Sequence, residues 1–203
     1  MNGRQPDKKE ELYVFIDNSY LFIEGYKFVR QITKIPANKS PYADYFTLKQ
    51  YLAENGDVRR AVICGSELPG SMISKCQSVG FEVFTLPRYP SIKTGRKQEK
   101  GVDHKICWEI AKTIFTNHDP TRNKKIILCT GDKDFMSILP DIQTSNWDFE
   151  LWLWSNSYST SFENQVKIFG SIKVLDEQWK KIFKIGDSSS ASSATGVPSH
   201  KTN

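Results

Sequence analysis

The ten residues Lys125–Asp134, KIILCTGDKD, decide the fold. Ile126, Ile127, Leu128 and Cys129 form an apolar run that is too short for a helix and is cut off by the turn formers Gly131 and Asp132. A strand that is apolar on both sides of its pleat has to be covered on both faces, which is the situation in a parallel sheet. Lys125 to Thr130 therefore reads as a buried strand. The pattern recurs at Leu12–Ile16 (LYVFI), Arg60–Cys64 (RAVIC), Phe81–Leu86 (FEVFTL) and Phe149–Trp154 (FELWLW). Each run is rich in β-branched or aromatic residues, and the stretches between them are long enough for helices. The alternation predicts a three-layer α/β/α domain with a mainly parallel central sheet.

Three of the intervening stretches carry helical periodicity. Tyr45, Leu48, Tyr51 and Leu52 follow Asp44, a good N-cap residue, and Val102, Ile106, Ile110, Ala111, Ile114 and Phe115 recur at three- and four-residue steps. Phe135, Ile138, Leu139 and Ile142 repeat the pattern, with Pro140 expected to kink or end that helix.

In an open parallel sheet, ligands are held at the carboxyl ends of the strands. Two aspartates fall there: Asp17 closes the first strand, and Asp132 follows the Lys125–Thr130 strand after one glycine. Asp134 is two residues further on, and Asp103 lies at the start of a helix, after a long loop able to return it to the same edge. Singly, an aspartate after a strand or before a helix is more often a cap or turn former. Four at equivalent depth, with no arginine or lysine directly beside Asp17, favour a functional reading. Converging carboxylates repel one another unless a divalent cation sits among them, and Mg2+ is the natural candidate for such oxygen donors. An ion held there has the chemistry to assist hydrolysis of a phosphodiester.

Composition sets the frame for that reading. Twenty-eight Lys and Arg against twenty-three Asp and Glu leave a net charge of +5 over 203 residues, a mild excess that permits an anionic partner without demanding one. Cys64, Cys76, Cys107 and Cys129 lack the paired spacing of a zinc site and read as reduced core residues. Trp147, Trp152 and Trp154, around the last strong strand, are assigned to packing. The polar start MNGRQPDKKEE is no signal peptide, and no apolar segment is long enough to span a bilayer, so the expected location is cytosol or nucleus, off the membrane. Residues 1–10 read as a flexible N-terminus, 11–185 as one folded domain, and 186–203 as a disordered serine-rich tail.

The segments VFIDNSYLFIEG, EKGVDHKICWEIA and ILCTGDKDFMSIL, in that order and spacing, resemble the NYN family of the PIN-like ribonuclease superfamily. The resemblance implies a compact PIN-like α/β domain that holds Mg2+ or Mn2+ and hydrolyses RNA, by default endonucleolytically on single strands. It implies Asp17, Asp103, Asp132 and Asp134 as the metal-binding and catalytic positions. Asn18 and Thr130 fall in the matching motifs as residues able to orient a carboxylate, a water or a phosphate. Many relatives carry asparagine where this chain has Tyr20, whose ring cannot replace an amide's paired donor and acceptor but could stack on a base or offer its hydroxyl.

Between Leu86 and Val102 the chain reads PRYPSIKTGRKQEKG, with Arg88, Lys93, Arg96, Lys97 and Lys100 against Glu99 alone. A basic loop of this kind, ending at Asp103, is expected to clamp an RNA backbone through Arg96, Lys97 and Lys100, with Tyr89 available to a base. Arg122, Lys124 and Lys125 read as a loop-to-strand cap, and His104 as either a substrate contact or a first-turn helix residue.

Other enzyme classes fit less well. A haloacid-dehalogenase-like phosphatase needs a second acid two residues after its nucleophile, where Ser19 stands, and a dinucleotide-binding domain needs a glycine-rich turn in place of Asp17-Asn18-Ser19-Tyr20. The rival reading is a catalytically weak NYN-like domain that serves as an RNA-binding or protein-interaction scaffold. Pairing with a second copy or another protein stays open.

Overall fold

The computed structural model describes residues 9–187 apart from 37, 55, 92–94, 118, 120 and 121. The expectations for most of the N-terminus, for nearly all of the serine-rich tail and for Lys93 lie outside the described residues.

In chain order the elements are β1 (Glu11–Asp17), α1 (Asn18–Ile32), β2 (Lys39–Ala43), α2 (Tyr45–Ala53), β3 (Asp57–Ser66), α3 (Gly70–Ser78), β4 (Glu82–Leu86), β5 (Arg88–Pro90) and β6 (Lys97–Glu99). There follow α4 (Val102–Thr116), β7 (Lys124–Cys129), α5 (Leu139–Thr144), β8 (Asp148–Leu153), α6 (Thr160–Val166), β9 (Ser171–Val174), α7 (Trp179–Ile182) and β10 (Phe183–Asp187). The central sheet has six strands, all parallel, in the order β4-β3-β1-β7-β8-β9. All five expected strands belong to it; β9 adds an edge, and the short antiparallel pair β10-β2 lies outside it.

β1 shows why the apolar runs are continuous. Leu12, Val14 and Ile16 pack into one buried cluster with Leu21, Phe22 and Val29 of α1, Leu48 and Leu52 of α2, and Met72 and Cys76 of α3. The alternate residues Tyr13 and Phe15 enter the opposite cluster with Ile106 and Ile110 of α4, Ile142 of α5, and Phe162 and Val166 of α6. Helices on both faces leave no solvent side for a polar residue to occupy, which is the three-layer arrangement. Asp44 caps α2 as expected, accepting from the Thr47 N–H at 3.1 Å. Trp152 and Trp154 are fully buried and Trp147 nearly so.

The cysteines also lie where the sequence put them: Cys64, Cys76 and Cys129 are buried, Cys107 is half-buried, and none is bridged. Burial pushes the Cys64 and Cys76 thiols up to about 12, so they stay protonated. Arg122 and Lys125 fasten the β7 entry to β1, bonding Glu11 and Glu10 at 2.6 Å each.

Two expectations change. The segment around Phe135 is not one kinked helix: a 3-10 helix over Lys133–Ile138 gives way to α5, and Pro140 sits in the first turn of that helix, where its missing N–H costs nothing. The basic stretch after Leu86 is not a plain loop, because β5 and β6 pair antiparallel with Arg88 opposite Glu99 and Pro90 opposite Lys97. Among the described residues no helix is long and apolar enough to cross a membrane.

A carboxylate cleft at the centre of the sheet

The strand order fixes where the site forms. From β1 the chain moves to β3 and β4 on one side, then crosses over to β7, β8 and β9 on the other. The connections leaving the carboxyl ends of β1 and β7 therefore diverge, and a crevice opens between them. Ile16 pairs with Cys129, so Asp17 and Thr130 follow on adjacent strands at that crevice.

Asp17 is half-buried and does two things. One oxygen caps α1 by accepting from the Tyr20 N–H at 3.1 Å; the other accepts from the Thr130 hydroxyl at 3.4 Å. The structural reading of this aspartate is thus correct, yet it does not exhaust the residue. Burial pushes its carboxyl up to about 7, opposed by the amide of Tyr20 and reinforced by the negative charges of Glu99 and Asp132. A carboxylate placed where ionisation is resisted gains more from a nearby cation than one that water already keeps charged.

Thr130 is fully buried and links the two central acids, since its Oγ1 also accepts from the Asp132 N–H at 3.3 Å. Asp132 in turn begins the 3-10 helix, accepting from the Asp134 N–H at 3.0 Å, and both aspartates are exposed. Gly131, between Thr130 and Asp132, admits no side chain: a Cβ there would stand 2.3 Å from the Ser157 carbonyl oxygen and 2.7 Å from the Tyr20 ring.

Asp103 arrives from the far side, in the first turn of α4, after Gly101 in a left-handed conformation (φ 81°) turns the chain into the helix. His104 Nδ1 lies 3.2 Å from its carboxylate. The four aspartates, with Glu99, Lys100 and His104, line one cleft of about 430 Å³. Among the described residues no three acidic, histidine or cysteine side chains are already drawn together as a ready-made metal cage.

The sequence expectations for the neighbours divide. Thr130 is in place to orient carboxylates and Lys100 lines the cleft. Asn18 is buried and accepts from the Tyr45 hydroxyl at 2.9 Å, beneath the cleft rather than in it. Arg96 and Lys97 are exposed on the β5–β6 hairpin and are not among the cleft walls; Lys97 pairs with Glu67 at 3.1 Å. The Tyr20 hydroxyl oxygen accepts from the Trp154 N–H at 2.8 Å, which ties the ring to the end of β8.

Glu99 is the residue that sequence reasoning missed. Counted there only as a charge among lysines, it is held at the cleft by the Ser19 hydroxyl at 2.6 Å. Its adjacency to the Lys100-Gly101-Val102-Asp103 motif was the available signal.

A larger cavity, about 600 Å³, opens at the opposite edge of the sheet beside Asn117, Arg122 and Trp147, with Asp119, Asp141 and Asp148 set against Arg122 and Lys124. Its charges are mixed, so nothing there creates the unbalanced demand for a cation that marks the acidic cleft.

A parallel sheet wound in this order, with acids gathered where the winding reverses, is a nuclease-like domain of the PIN type. The NYN domain profile matches residues 11–173, most of the chain, and the protein belongs to the NYN family of that superfamily. A crystal structure of a protein of unknown function from Vibrio parahaemolyticus is similar in fold, with a TM-score of 0.62 and 18% identity, covering 89% of this chain and 100% of that one. No curated protein matches it in sequence.

Proposed function

We propose that the protein is a divalent-metal-dependent ribonuclease acting endonucleolytically on single-stranded RNA. The observation that carries this reading is the convergence of Asp17, Asp103, Asp132 and Asp134 on one cleft, with Glu99 added and Lys100, among the described residues, its one lysine or arginine.

These residues fit magnesium or manganese. The donors are hard oxygens, and the raised Asp17 carboxyl marks a place where positive charge is wanted. Magnesium keeps several of its waters and binds through one or two carboxylates, so a closed cage of three side chains is not required. An ion bound there would supply Lewis acidity toward a phosphate oxygen and lower the pKa of a water.

The chain's own groups do the rest. Thr130 holds Asp17 and orients the turn that presents Asp132. Lys100 offsets the acidic field along the path of an incoming phosphate. Tyr20 supports the site from behind: its ring fixes Gly131 and its hydroxyl fixes the end of β8, so the asparagine-to-tyrosine departure leaves the carboxylates untouched.

Endonucleolytic action is supported by the shape around the cleft. A groove of about 310 Å³ shares Asp103, His104 and Asp134 with it, and another of about 340 Å³ shares Asp132 and runs past Tyr158. Nucleotides on both sides of a phosphate at the acids therefore have a groove for their bases, and the strand needs no free end there.

The test is cleavage of labelled single-stranded RNA in magnesium, manganese or EDTA, with Asp132→Asn beside the wild type. Metal-dependent cleavage, internal to the strand and lost in the variant while RNA is still retained, is expected. Equal cleavage by the variant would remove the catalytic claim, and retention of RNA without cleavage in any metal would make the domain a scaffold.

A further inference from the structure

We infer that Trp108 is a stacking platform for an unpaired base of the substrate strand, one that flanks the phosphate at the acidic cleft. This rests on the ribonuclease reading and names where that substrate is gripped.

Trp108 is the exception among five tryptophans. Trp147, Trp152 and Trp154 are buried and Trp179 is half-buried, whereas Trp108 leaves 65% of its surface in water. Burying an indole is worth a great deal, yet this ring stays in water on a well-formed helix beside the site.

Its position is specific. The first turn of α4 brings Asp103 to the cleft, and Trp108 stands five residues on, about 7.5 Å along the helix axis. Asp103 and Cys107, and likewise His104 and Trp108, are four apart and share one side of the helix. Together with Ala111 and Ile138 they line the groove that opens directly out of the acidic cleft. A nucleotide adjacent to a phosphate held at Asp103 reaches that groove without leaving the surface.

Charge selects the part of the nucleotide that enters. Asp103, Asp134 and Asp141 line the groove and, among the described residues, no lysine or arginine does, so a phosphate is repelled from it. A nucleobase is uncharged, offers a flat face to the indole, and carries N–H groups for which the carboxylates and Ser137 are acceptors. The groove suits a base and the cleft suits its phosphate. Stacking on an exposed ring requires a base free of its partner, which accounts for a preference for single strands.

A second copy of the chain covering this helix face is the competing occupant. Phe115, 75% exposed on the same helix, would serve such a contact, but it lies outside the groove and borders the cavity at the opposite edge of the sheet.

The experiment compares Trp108→Ala, Trp108→Phe and Phe115→Ala with wild type. Retention of a short labelled oligoribonucleotide is measured in the Asp132→Asn background, KM and kcat with metal in the active protein, and mass by sedimentation. Trp108→Ala should weaken binding about five- to a hundred-fold, with the loss in KM, while Trp108→Phe stays within about three-fold of wild type and Phe115→Ala is unchanged. An abasic nucleotide at one position of the oligonucleotide should reproduce the loss in wild type and add nothing to Trp108→Ala. Full binding and cleavage by Trp108→Ala would overturn the inference, as would a change in mass with RNA binding intact, which would make this face a contact between copies. Tryptophan-dependent binding with no cleavage in any metal would sink the nuclease reading and leave the stacking platform standing. A wild type that does not bind RNA would overturn both.

Discussion

Replacing Asp17 with asparagine should stabilise the metal-free protein while abolishing its response to metal. The rise of the Asp17 carboxyl from 3.8 to about 7 means that the native state resists ionisation by about 4 kcal/mol at pH values above 7. An amide bears no charge to bury, and it keeps an oxygen that can accept from the Tyr20 N–H, so the cap of α1 survives. Asp17→Asn is therefore expected to gain about 2–4 kcal/mol in EDTA at pH 8, or about 5–10 °C in Tm for a domain of this size. The sign with pH is definite. Between about 4 and 7 the native state holds a proton that the unfolded chain has released, so this contribution to wild-type stability falls as pH rises and levels off above 7. The advantage of the variant should be full at pH 8 and gone below about pH 4. Magnesium or manganese should raise the wild-type Tm at pH 8 by binding the ionised native form, and leave the variant nearly unmoved. Differential scanning calorimetry across pH, with and without metal, reads all of this. A variant less stable than wild type in EDTA at pH 8, or one whose advantage does not shrink on acidification, would refute the account of a frustrated carboxylate.

Gly131→Ala should cost about 1–3 kcal/mol in urea unfolding and blunt the metal response, because its Cβ would meet the Ser157 carbonyl oxygen at 2.3 Å and displace the turn that presents Asp132. Tyr20→Phe removes the acceptor of the Trp154 N–H and should cost about 1–3 kcal/mol in the same assay while sparing metal binding by calorimetry. A Tyr20→Phe protein of wild-type stability would mean that the hydroxyl is not needed at the end of β8.

The central strands were legible because burial on both faces leaves a signature that needs no partner to interpret. β9 was not, since Ser171–Val174 has exposed residues at both ends and reads as any polar segment would. The β5–β6 hairpin was hidden by its lysines and arginines, which suggest solvent rather than pairing. The aspartates of the cleft could be placed from strand ends and helix starts, and all four line it. What could not be read were roles set by distant contacts. Tyr20 depends on Trp154, 134 positions away, and Glu99 on Ser19, 80 away, and neither separation leaves a local trace. Lys97, expected to meet a ligand, pairs in the folded chain with Glu67, another contact that its neighbours in sequence do not announce.

The pairing of β1 with β7 also sets the moment at which the cleft comes into being. Thr130 meets Asp17 across 113 positions, so a growing chain holds the first acid long before it holds the strand that completes the crevice. A nascent polypeptide halted before β7 holds Asp17, Glu99 and Asp103 but neither Asp132 nor Asp134, so its acidic centre is incomplete. On the ribonuclease reading, this ordering withholds the complete cleft until the strand that leads to Asp132 has been made.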